Sequence, residues 1–326
     1  MALYALEAVD DAYRATSAFL RPVDRSRWLK LALVGLFVGT PGVGANGAQF
    51  SVPADGTAPP DGDLSTVPPE VWLAVAVAVG LAVLFVLAVL FVGSVMEFVL
   101  VESLRRDDVQ VRAYWSQHFR RGTRLFGFRL AVGLFVLATV LVLVGLLVAP
   151  LTLGVSAASA VVLALVLIPA FVVVGIVTGL VDGFTTMFVV PVMLVEECGV
   201  LAGWRRFWPT LAGAWTQYLA YAVVSFVLAL VGGLLVAAVT AILAVLLLIP
   251  IGVLAGIGVL LFLATPALGI PALVLVGVLF VAGLVAAAAL VQVPVITYLR
   301  YFALLVLGET NAEFDLIPDQ REVARR

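Results

Sequence analysis

The sequence predicts an all-α fold: a multi-pass transmembrane helical bundle of about six spans, readable either as three helical hairpins or as unrelated spans, plus an amphipathic N-terminal helix. Three observations predict it. Apolar residues make up 64% of the chain and charged residues only 12%, against roughly 25% charged in an ordinary soluble domain. The apolar residues come in unbroken blocks longer than the roughly 20 residues that cross a bilayer. The basic residues fall in alternate connecting segments and are missing from the others, which is the pattern that sets membrane topology.

Residues 1–27 read as a cytoplasmic interfacial amphipathic helix, with Leu3, Leu6, Val9 and Tyr13 on one face and Glu7, Asp10, Asp11 and Arg14 elsewhere. Arg21-Pro22 ends it. The alternative for this helix is packing against the ends of the spans. Residues 28–308 form the transmembrane domain. Span 1 runs from Trp28 to Val43 and leads to an external loop over 44–70, rich in Gly, Pro, Ser and Asp and without a basic residue. Span 2 runs from Val71 to Leu100 and is followed by a charged cytoplasmic segment over 102–124. Span 3 covers Leu125 to Val148. Span 4 runs as one long helix from Ala157 to Val195, kinked at Pro169 and Pro191. A second cytoplasmic segment covers 196–214. Span 5 (Trp215 to Leu243) and span 6 (Ala272 to Leu307) are separated by a break over 250–271, where Pro250, Pro266 and Pro271 stand, the alternative being that the apolar stretch Ile251 to Leu263 dips into or crosses the membrane. A cytoplasmic tail, 309–326, completes the chain.

Residues 1–30 hold five basic residues, 102–129 seven, 196–214 two and 309–326 three. An even number of spans with both termini in the cytoplasm of a cell membrane places all four groups on one side. Spans 2, 4 and 6 close on Glu102, Glu196 and Glu309, a recurrence that three diverged hairpins would produce and that chance can also produce.

A net charge of -2 excludes the basic face that nucleic acid requires. Cys198 and His118 are the single cysteine and histidine, so no disulfide and no metal site of nitrogen and sulfur ligands is expected. No nucleophile motif, phosphate loop or catalytic carboxylate pair is present; no catalytic residue and no cofactor is expected, and the chain does not read as an enzyme. Seventeen arginines stand against one lysine, Lys30, a bias that with the acidic segments suggests a halophilic source.

Five polar residues lie inside apolar spans. Asp182 is about 21 Å from Glu196 along a continuous helix, a costly depth that points to function, with an interfacial break at Asp182-Gly183 as the plainer explanation. Glu97 and Arg129 approach the same end from spans 2 and 3 and are expected to pair. Gln292 is expected to bond a neighbouring helix, and Arg300 to snorkel to the interface. Gly175, Gly179 and Gly183, like Gly35 with Gly39 and Gly252 with Gly256, have the spacing of close helix approach. On the cytoplasmic side Arg105, Arg106, Arg120, Arg121, Arg205 and Arg206 with Trp115, Trp204 and Trp208 form a candidate face for anionic lipid headgroups or another membrane protein, while His118 among them reads as solvated.

The opening Ala5-Leu-Glu-Ala-Val-Asp-Asp-Ala-Tyr-Arg-Ala-Thr, through Phe19-Leu-Arg-Pro to Arg27-Trp-Leu-Lys-Leu-Ala-Leu, together with Leu104-Arg-Arg-Asp-Asp-Val-Gln-Val-Arg, resembles a haloarchaeal multi-pass membrane family of unknown function. The stretch from Val190-Pro-Val-Met-Leu-Val-Glu-Glu-Cys-Gly to Trp204-Arg-Arg-Phe-Trp-Pro is similar to a motif in the membrane domain accompanying some glycerophosphodiester phosphodiesterases. Neither resemblance implies a catalytic residue here. The expectation is a structural, accessory or lipid-organising membrane protein whose partner is the bilayer. The alternatives are a small permease or channel using an intramembrane acid, and a lipid-acting enzyme.

Overall fold

The computed structural model describes residues 4–38, 68–152 and 157–325, and the regular structure in them is helical. In chain order these are α1 (Tyr4–Leu20), α2 (Arg25–Phe37), α3 (Pro69–Arg105), α4 (Val111–Thr152) and α5 (Ala157–Phe184). A π-helical turn (Thr185–Val189) joins α5 to α6 (Val190–Val195), followed by α7 (Val200–Gly213), α8 (Trp215–Ala264), α9 (Pro266–Thr310), a 3-10 turn (Ala312–Phe314) and α10 (Pro318–Arg325). Five stretches among the described residues are long and apolar enough to cross a membrane: α3, α4, α5 continued by α6, α8 and α9. The protein is a multi-pass helical membrane bundle.

The remaining expected span begins as α2. Asp24 caps it by accepting the amides of Ser26 and Arg27. At 13 residues it rises about 20 Å, short of a full crossing by itself, and near its end the Phe37 carbonyl lies against Gly93 of α3. The rest of that span, Gly39 and the loop over 44–67 lie outside the described residues.

Proline placement corrects the reading of the last two spans. α8 is continuous for 50 residues with Pro250 inside it, so Ile251 to Leu263 belongs to that helix. The break expected over 250–271 contracts to Thr265, whose backbone is extended. Pro266 occupies the first turn of α9, where a missing N–H removes no helical bond. Glycines let α8 and α9 pack along their length: Gly232 meets Val295, Gly283 meets Leu247, Gly258 meets Leu273, and Gly269 touches the Phe262 backbone.

Residues Gly93 to Leu104 of α3, Thr185 to Leu194 around the π turn, and Leu299 to Gly308 of α9 are buried. The opposite half of the same helices exposes Leu73, Phe85, Phe135, Ile176 and Leu275. Apolar exposure on this scale is the lipid-facing surface of spanning helices. The bundle is thus knitted together at one end, the end carrying most of the charges. There α1 and α10 meet, Arg14 donating to the Ala324 carbonyl at 3.3 Å, and Asn311 reaches Thr210 at 3.2 Å. Both described termini therefore sit at this end. Two turns there contain left-handed residues, Asp107 and Glu197, each with φ 50°. An arginine holds each: Arg27 on Asp107 and Arg121 on Glu197, both at 2.9 Å.

Three further expectations are corrected. On α1 the buried face is Ala8, Ala12, Ala15 and Phe19, whereas Leu6 and Tyr13 are exposed. Alanines permit closer approach to α9 than leucine would, and Phe19 completes the contact on Tyr301 with ring centroids 5.9 Å apart. No break occurs at Asp182-Gly183, because α5 continues through both. A Cβ on Gly175, Gly179, Gly183, Gly252 or Gly256 would meet nothing within 4 Å, so among the described residues no span packs on them. Gly35 does serve close packing, against Ile296 at 3.2 Å.

Candidate functional site: a buried charge cluster

Four of the five intramembrane candidates converge. Glu97 of α3 is 1% exposed and its two oxygens are divided between arginines from different helices. Arg129 of α4 donates to Oε1 at 3.2 Å, so the expected pair forms. Arg300 of α9 engages Oε2. Arg300 is itself 1% exposed, which overturns the expectation that it snorkels: ten residues from the end of α9 it finds a carboxylate closer than the interface. Arg129 also donates to Thr186 Oγ1 at 2.7 Å, and its Nε lies 3.4 Å from Asp182 Oδ1. Two carboxylates and two guanidiniums thus cancel within one cluster built by α3, α4, α5 with its π turn, and α9.

The π turn explains how the cluster is finished. In π geometry the Val190 amide bonds the Thr185 carbonyl. The next carbonyl, Thr186, would take its donor from residue 191, which is proline and has no N–H. That carbonyl is left to Arg300, whose Nη1 donates to it at 2.6 Å. The turn is fixed on both sides: Thr185 Oγ1 donates to the Val181 carbonyl at 2.6 Å and accepts from Trp204 Nε1 at 3.0 Å. Below it Phe188 stacks on Phe207 at 5.4 Å and meets Tyr218 and Tyr221 edge-on at 5.0 and 4.7 Å. All four rings are buried, so the turn that presents Thr186 to the charges is packed against apolar surface, where electrostatic attraction is stronger than in water.

Asp182 is the open member, its side chain 54% exposed. Gln292 stands apart, two turns from Arg300, and donates to the Gly35 carbonyl at 2.5 Å. It ties α9 to α2 and belongs to packing.

The arginine and tryptophan face divides into engaged and free members. Arg105 and Arg106 hold the buried Glu102, the former at 3.8 Å. Arg121 reaches Glu197 and the His118 ring, the latter at 3.1 Å. Arg206 faces Glu196 at 3.6 Å. Trp115 lies partly buried beside Phe119, ring centroids 6.4 Å apart, and Trp204 holds the π turn. Trp208 is 60% exposed, and Arg120 and Arg205 are exposed as well. His118 is buried rather than solvated, stacked on Phe98 at 6.2 Å. Nearby, in the α6–α7 connection, burial pushes the Cys198 thiol up from its ordinary range, its own backbone hydrogen bond opposing and the Glu196 charge adding.

Sequence reasoning did not foresee the Thr186 carbonyl, the π turn or the tryptophan that braces it. The available signal was Pro191, five residues after Thr186. The family model described as "Family of unknown function (DUF7544)" matches residues 3–317. No curated protein and no solved structure matches the chain.

Proposed function

We propose that this chain, which belongs to a family of unknown function (DUF7544), is a structural and lipid-organising component of the cell membrane rather than a transporter or an enzyme. The observation that carries this reading is the neutral cluster: Glu97 is held by guanidiniums from two other helices, with Glu97 and Arg300 each 1% exposed. A carboxylate that couples a proton or cation to transport must leave its counter-charges during the cycle. Removing one partner of a buried pair costs about 3–5 kcal/mol, which suits a permanent staple between helices. The charged end would face the cytoplasm, placing α1 and α10 there, since arginine-rich segments are retained on that side. The haloarchaeal source and the likeness to the phosphodiesterase-associated domain are part of this proposal, supported by composition and motif alone.

Asp182 favours a second reading, a small permease, because its carboxylate is half exposed and pairs with one arginine among the described residues, at 3.4 Å. Purified protein in liposomes loaded with pH- and sodium-sensitive dyes separates the two. The staple reading expects flux no greater than in empty liposomes, for both the wild type and Asp182→Asn. Flux that Asp182→Asn abolishes would overturn it.

A further inference from the structure

The charged end carries more arginines than its carboxylates engage. Arg105, Arg106, Arg121 and Arg206 each face a glutamate. Arg112, Arg120, Arg124 and Arg205 are exposed and have no acidic partner among the described residues. On the first turns of α4, Arg112, Arg120 and Arg124 share the outward face with Phe119, 46% exposed. That face is opposite Tyr114, His118 and Leu125, which are buried. On α7 the outward stripe is Leu201, Arg205, Trp208 and Ala212, at spacings of four, three and four residues that keep them on one side of the helix. Leu201 and Trp208 are 76% and 60% exposed. The inward stripe, Val200, Gly203 and Phe207, is buried, and Gly203 admits Val189 of the π turn to within 2.9 Å of where a Cβ would stand.

α4 adjoins the start of α7. Arg124 lies 3.9 Å from the Cβ position of Gly199, the residue that starts α7, and Arg121 ties α4 to Glu197 just before it. Free guanidiniums flanked by an exposed tryptophan, phenylalanine and leucine fit the bilayer boundary, where rings sit at headgroup level and guanidiniums meet phosphates.

We propose that Arg112, Arg120, Arg124 and Arg205, with Phe119, Leu201 and Trp208, form a docking surface that selects anionic phospholipid headgroups from the surrounding leaflet. The proposal rests on the lipid-organising reading and names its lipid class. A soluble protein partner fits less well, because α7 stands directly between the spans that end at Val195 and begin at Trp215, which keeps Leu201 and Trp208 at the membrane boundary. The pairing of four neighbouring arginines with Glu102, Glu196 and Glu197 leaves these four as the ones available to lipid, so selection depends on them and not on the total basic charge.

The full chain is reconstituted in nanodiscs of equal phosphatidylglycerol and phosphatidylcholine, and the lipids that stay bound are weighed by native mass spectrometry. At least about threefold enrichment of phosphatidylglycerol over the bulk ratio is expected. Replacing all four arginines by glutamine should return the ratio to bulk, and replacing them by lysine should retain most of it. An unchanged melting temperature is expected for the glutamine variant, since none of the four makes a pair that folding depends on. No enrichment in the wild type, or enrichment that survives the glutamine variant, overturns the proposal. Saturable heat with inorganic phosphate that the glutamine variant abolishes would make this a free-anion site and would also overturn it. The readout is independent of flux, so this proposal and the staple reading fail separately.

Discussion

Replacing Glu97 by glutamine keeps the shape of the side chain and removes one charge from a cluster of two carboxylates and two guanidiniums. The cluster then carries a net positive charge around Arg300 and Arg129, whose side chains are 1% and 14% exposed. Water cannot compensate at that burial, and the loss should be about 3–5 kcal/mol. Arg300→Gln should cost a similar amount, because it leaves two carboxylates to Arg129 alone and also strips the Thr186 carbonyl, which Pro191 leaves without a backbone donor, of its guanidinium. The double variant Glu97→Gln with Arg300→Gln restores neutrality and leaves Arg129 with Asp182, so its cost should fall short of the sum of the singles by about 2–3 kcal/mol. Thermal unfolding in detergent, followed by fluorescence of the six tryptophans, would read each single substitution as a drop of roughly 6 °C or more, at about 2–4 °C per kcal/mol. A Glu97→Gln protein as stable as the wild type, or strictly additive losses in the double variant, would refute the staple.

Glycine substitutions should divide by what a Cβ would meet. Gly269→Ala drives its methyl into the Phe262 backbone, 2.1 Å away, and should destabilise by about 1–3 kcal/mol or more, whereas Gly179→Ala meets nothing within 4 Å and should be neutral or stabilise by up to about 1 kcal/mol; the same unfolding measurement compares them. Asp182→Asn, at a half-exposed pair, should lower stability by less than about 1 kcal/mol. Because burial holds the Cys198 thiol protonated to higher pH than a free thiol, maleimide labelling near neutral pH should lag behind free cysteine and close the gap as pH rises past the ordinary thiol range. Equal rates near neutral pH would contradict this. In a Cys198→Ser background, Glu313→Cys should label only from the cytoplasmic side and Thr265→Cys only from the other; external labelling of Glu313→Cys would overturn the proposed orientation.

Much of the fold was legible because membrane helices write themselves in composition. With no water in the hydrocarbon core, every backbone donor must be satisfied within the segment, so long apolar blocks can only be helices. Spans 2 and 4 were read within a few residues of α3 and of α5 with α6, whereas α4 begins at Val111, fourteen residues before the expected start of span 3, because the charged stretch leading into that span is helical too. The boundary at 250–271 was misread because a proline marks a lost N–H without saying whether neighbouring packing will carry the helix across it. Pro250 is carried across, and Pro266 begins a helix. Likewise the apolar face of α1 followed the largest side chains, while the packing used the smallest.

The candidate site shows the same division. Depth in a span marked Asp182, Glu97, Arg129 and Arg300 as costly residues, and opposite charges at similar depth suggested the Glu97–Arg129 pair. What the sequence by itself determined was a chain of membrane-spanning helices with charges gathered toward one end. Only the tertiary structure decided that Arg300 turns inward, that the Thr186 carbonyl meets it, and which arginines have no carboxylate partner among the described residues. The reason is that burial of a charge is decided by partners brought from other helices, Glu97 and Arg300 being 203 residues apart in the chain, and no local pattern records that meeting.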